Sequence, residues 1–185
     1  LSLYTARIDP IDGPSPAEQA ISGEPSQSQF LESWLPLRAP EHGSLQPLDG
    51  DLVETSDHYE ADNPVVDSQI PGVLTEPASL PHQGVSLTPL DVAAVDAVPT
   101  GDDKVFYPNA MADTDFLIAP TALGFEVFMQ LRSPESPERY GFEVGMPQGA
   151  ELLPTDSGGA KVVKGGETLA AIEPPSAADA VGQVV

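Results

Sequence analysis

Asn109, Asp113 and Asp115 are the best-spaced hard donors in this chain. Closely spaced oxygens on a loop are what Ca²⁺ requires, so this acidic turn is the first candidate for chemistry. It lacks the turn glycine and the distal bidentate glutamate of an EF-hand. Its competing use is a solvated turn whose side chains cap their own backbone. Asp49-Gly50-Asp51 offers a second, smaller set of the same kind. No other cofactor is expected. The remaining acids are too numerous to inform: among 29 Asp and Glu, some pair at glycosidase spacing can always be nominated. His42, His58 and His82 stand singly in Pro-rich surroundings and are expected to be exposed. None has the H-x-x-x-H or H-x-H spacing of a zinc site. There is no G-x-S-x-G elbow for a serine hydrolase. Gly165-Gly166-Glu167-Thr168 lacks the glycine spacing and the lysine of a P-loop and reads as a hairpin turn. The chain has no cysteine, which excludes disulfides, thiolate metal sites and a cysteine nucleophile. No enzyme is expected from these residues.

The formal net charge of -22, from 29 acids against 7 bases, disfavours nucleic acid, whose phosphates need Lys and Arg to replace counterions. It equally disfavours an anionic membrane surface, and no apolar run approaches the roughly 20 residues of a membrane span. The same charge favours solubility and attracts divalent cations. Aromatic side chains are few. Trp34 and Tyr59 could form a stacking platform for a glycan, which would make the chain an extracellular binding module. The simpler use of the single Trp is to pin an extended arm by burial. The chain starts at Leu1 rather than Met and stops at Val184-Val185, where a strand could continue. It is therefore expected to be a fragment of a longer protein.

The elements that must position the acidic turn lie between Val105 and Pro175. Val105–Tyr107 begins a strand expected to stop at Pro108-Asn109. Asp115–Ala119 is the next, ended by Pro120. Phe125, Val127, Met129 and Leu131 then alternate with Glu126, Phe128, Gln130 and Arg132, a period of two that places the first set on one face. Phe128 interrupts the polar face, so that face is expected to be partly covered. Ser133–Pro137 is a rigid loop. Tyr140–Val144, Ala150–Leu153, Ala160–Lys164 and Thr168–Ile172 follow as short strands, with turns at Asp156–Gly159 and Gly165-Gly166. Short strands at this spacing, with no intervening helical pattern, indicate an all-β fold: an antiparallel, sandwich-like domain. Its expected core is Phe106, Phe116, Ile118, Phe125, Val127, Met129, Leu131, Phe142, Val144, Leu152, Val162, Leu169 and Ile172.

The first 100 residues differ in composition. They hold 13 of the 21 prolines and only two bases, Arg7 and Arg38. Proline cannot donate to a ladder, so the short apolar clusters here are expected to be edge strands or extended strips. A brief helix is possible at Pro16–Ile21, and a tight turn at Asp49-Gly50. The division expected is an acidic, Pro-rich, largely irregular and partly disordered arm over residues 1–103, followed by the β domain over 104–185.

Several motifs recur in one order: YPN at Tyr107–Asn109, DTDF at Asp113–Phe116, PT at Pro120-Thr121 and G-x-E at Gly124–Glu126. LRSPESP at Leu131–Pro137, P-x-G-A-x-L at Pro147–Leu152 and I-x-P-P-x-A-x-D-A-x-G at Ile172–Gly182 follow. This order resembles the region preceding the repeats in large secreted bacterial Rhs/YD-repeat proteins, and SLYTA at Ser2–Ala6 resembles its start. The resemblance covers residues 103–185 well and 1–100 loosely. It departs from the family where Trp34 comes late, after a polar insertion at residues 15–29. It implies a non-enzymatic structural module of an extracellular or cell-surface protein. Such a module flanks a β shell, formed by the rest of the chain, that carries a C-terminal effector.

Overall fold

The computed structural model describes residues 7–9, 30–32, 38–41, 44–47, 49–101, 103–179 and 183–184. The helix expected at Pro16–Ile21, and Trp34, lie outside them. The described chain is all-β, and every strand pairing in it is antiparallel. β1 (Arg7–Asp9) pairs with β2 (Phe30–Glu32), and β3 (Arg38–Glu41) with β4 (Ser44–Pro47). β5 (Asp49–Glu54), β6 (His58–Asn63) and β7 (Ile70–Pro71) form a three-stranded sheet. Asp49-Gly50 is thus not a turn. It opens β5, and the register shift between Asp49 and Leu52 takes up the glycine as a bulge.

β8 (Ala78–Leu80) and β9 (Val85–Pro89) form a hairpin. β10 (Val98–Thr100), β11 (Lys104–Met111), β12 (Thr114–Thr121) and β13 (Gly124–Leu131) make the largest sheet, in that order. β14 (Phe142–Gly145) leaves it and returns to pair with β9. β15 (Glu151–Pro154), β16 (Ala160–Lys164) and β17 (Glu167–Ile172) close the chain as a meander. The Pro-rich stretch is therefore not confined to edges: β6 and β9 are the central strands of their sheets. Both can be, because β6 contains no proline and Pro89 stands at the end of β9, where one lost donor is cheap.

Strand parity decides the core. Register pairs Tyr107 with Phe116 and Val105 with Ile118, then Phe116 with Met129 and Ile118 with Val127. These side chains share one face, and Val105, Tyr107, Phe116 and Ile118 are buried. Tyr59, Ile70, Leu74 and Ala78 complete the same cluster, so the core draws on both sides of position 103. Phe125, Val127, Met129 and Phe142 pack against it, and Val162 is buried in the meander. Phe106, expected in the core, belongs to the opposite face, because its neighbours Val105 and Tyr107 take the inward positions. Leu131 is 56% exposed at the end of β13, and Leu152 is 41% exposed on the edge strand β15.

Between the sheets, backbone hydrogen bonds replace long elements. Val65 and Val66 N–H both donate to the Ala122 carbonyl at the β12–β13 turn, at 3.1 Å. Ala93 N–H donates to the Ala110 carbonyl and Ala97 N–H to the Gly72 carbonyl, each at 2.8 Å. Tyr107 is the strongest tie: its buried hydroxyl donates to the Pro71 carbonyl at 2.6 Å, 36 residues away in sequence.

Burial, with a smaller contribution from neighbouring Tyr59, raises the Tyr107 phenol well above its ordinary value of 10.0. The folded state keeps this proton where an unfolded tyrosine has lost it. Its stabilisation is full below about pH 10 and falls as pH rises beyond that. In an alkaline ultraviolet titration of the four tyrosines, Tyr107 is expected to ionise only together with unfolding. Smooth ionisation of all four in a folded chain would contradict its burial.

Candidate functional site

The acidic turn is built by β11, β12 and the first residues after β13. β11 does not stop at Pro108-Asn109. It continues to Met111 through a register shift between Tyr107 and Met111. Asn109 and Asp113 both adopt left-handed backbone, with φ of 54° and 44°. Asn and Asp tolerate this region better than other non-glycine residues, so their positions follow from backbone shape as well as from any use of their oxygens.

Asp115 points back across this irregularity. One carboxylate oxygen accepts the Asn109 N–H at 2.7 Å. The other faces Arg132 Nε at 3.3 Å. A second Arg132 nitrogen donates to Asn109 Oδ1 at 2.6 Å. The guanidinium thus stands between Asn109 and Asp115, where both oxygens would otherwise meet a cation. Asp115 is buried, whereas Arg132 is 40% exposed at its side chain.

Asp113 is held by other partners. Its carboxylate accepts the Ser133 hydroxyl. Its carbonyl accepts Arg132 N–H at 2.9 Å and the Ser136 hydroxyl at 2.7 Å. Tyr140 then sets its ring edge-on to Phe116, with centroids 6.3 Å apart. Residues 132–140 therefore form a strap, buckled onto the β11–β12 turn before the chain enters β14.

Of the three expected donors, Asn109 and Asp115 converge, and they do so on a guanidinium. Among the described residues no group of three or more His, Asp or Glu side chains is arranged to hold a metal ion. Asp49-Gly50-Asp51 lies in the bulged start of β5. A scan against protein-family models, a search of the curated proteins and a search of the solved structures find no match to this chain. No helix among the described residues is long and apolar enough to cross a membrane.

Arg132 and Ser136 are functional parts of this turn that the sequence did not disclose. They lie 23 residues from their partners Asn109 and Asp113, and only the scarcity of bases could have drawn attention to Arg132. The other candidates also change character. Tyr59 is buried in the core, so its ring offers no platform for a sugar. His82 is exposed, as expected, and meets Asp67 at 2.7 Å. His42 lies outside the described residues.

His58 is not exposed but half-buried in the β5–β6 turn, because the turn folds around it. Its Nδ1 lies 2.9 Å from Asp57 Oδ1 and 3.0 Å from Thr55 Oγ1. The Thr55 hydroxyl also donates to the His58 carbonyl at 2.8 Å. The hydrogen bond with His58 is the main cause holding the Asp57 carboxyl below its ordinary value of 3.8. The cost of burial opposes it and comes next in size, and charge attraction to His58 and bonds from Ser56 and Thr55 then add to the lowering. A depressed carboxyl stabilises the fold above its ordinary value, and that help is lost as pH falls through the lower folded value. An NMR titration is expected to show Asp57 protonating below its ordinary value of 3.8 and moving up in His58→Leu. No movement in that variant would mean His58 is not the cause.

Proposed function

We propose that this chain is a non-enzymatic structural module of a large secreted or cell-surface protein of the Rhs/YD-repeat kind, flanking the shell that carries a C-terminal effector. One observation supports this above the others: the motif residues of Tyr107–Phe116 and of the LRSPESP segment help to hold the fold. Tyr107 ties β11 to β7. Asn109, Asp113 and Asp115 are engaged by Arg132 and Ser133, from the LRSPESP motif, and Phe116 fills the core. Motif residues engaged in packing and turn closure suit a scaffold. Catalysis would need polar groups left aimed at a cleft.

The partner of such a module is the remainder of its own longer polypeptide. Strand β15 is exposed along its whole length, and a backbone edge of this kind is suited to covering by further structure. The test compares hydrogen exchange of this chain alone with the same residues inside the complete polypeptide encoded by its gene. A flanking module gains protection at exposed strands such as β15 while its core stays unchanged. Identical exchange at every amide would contradict docking against a shell.

A further inference from the structure

We draw no further inference here: the strongest candidate, the outer edge of β13 (Gly124–Leu131), a border strand of the large sheet with Leu131 exposed at its end, carries none, because nothing in the structure shows what covers it.

Discussion

Phe116→Ala is expected to destabilise the fold by about 3–5 kcal/mol, the cost of a large aromatic truncation that leaves a cavity. Phe116 is 1% exposed and sits mid-strand in β12. It is paired across the sheet with Tyr107 on one side and Met129 on the other. The ring also meets Tyr140 edge-on, a contact worth about 0.5–1.5 kcal/mol beyond its area. Tyr107 cannot move into the space, since it is fixed by its bond to Pro71. Denaturant unfolding reads the effect directly. Phe128→Ala, on the outer face of the same sheet, serves as the contrast and should cost far less. Equal losses for the two variants would mean that the faces are assigned wrongly.

Asp115→Ala carries the second large effect, about 2–3 kcal/mol. Its carboxylate accepts the Asn109 N–H at 2.7 Å within a turn that already holds left-handed backbone at Asn109 and Asp113. A hydrogen bond to a charged acceptor contributes about 1.5–3 kcal/mol, and its loss would leave that donor without a partner. The ion pair adds less than about 1 kcal/mol, because solvent reaches the Arg132 side of it. Asp115→Asn keeps an oxygen for Asn109 N–H and gives up the charge, so it should cost roughly half as much. Arg132→Met should fall between the two, since it strands a buried carboxylate with one donor. Unfolding by denaturant orders the three variants. A negligible cost for all of them would show that the strap closes without this turn.

The β pattern was open to sequence reading where one strand pairs with its sequence neighbour. Phe125, Val127 and Met129 lie on the core side as their alternation indicated, and Phe128 lies opposite them. Parity corrects one of the expected core residues: Phe106 yields the interior to Val105 and Tyr107. Leu131, at the end of β13, and Leu152, on the edge strand β15 that is exposed throughout, were expected inside as well and are not. The contribution of Tyr59, Ile70, Leu74 and Ala78 to the core was hidden for a different reason. Ile70, Leu74 and Ala78 sit in strands or links too short to show a period, and the partners of all four lie far along the sequence, beyond a Pro-rich stretch whose composition suggests a loose arm. The same holds for the acidic turn. Spacing alone brought out Asn109, Asp113 and Asp115 as donors, yet whether such oxygens meet a metal or an arginine depends on what the fold carries to them from a distance. Here the fold carries Arg132, Ser133 and Ser136.

The most direct test of a scaffold closed by its own strap is hydrogen exchange on this chain with and without millimolar Ca²⁺. Slow amides are predicted at Tyr59, Ile70, Val105, Tyr107, Phe116 and Ile118 as one cooperative unit, unchanged by the ion. Protection that rises around residues 109–115 on adding Ca²⁺, and no longer rises in Asp115→Asn, would contradict the account and make the turn a cation site.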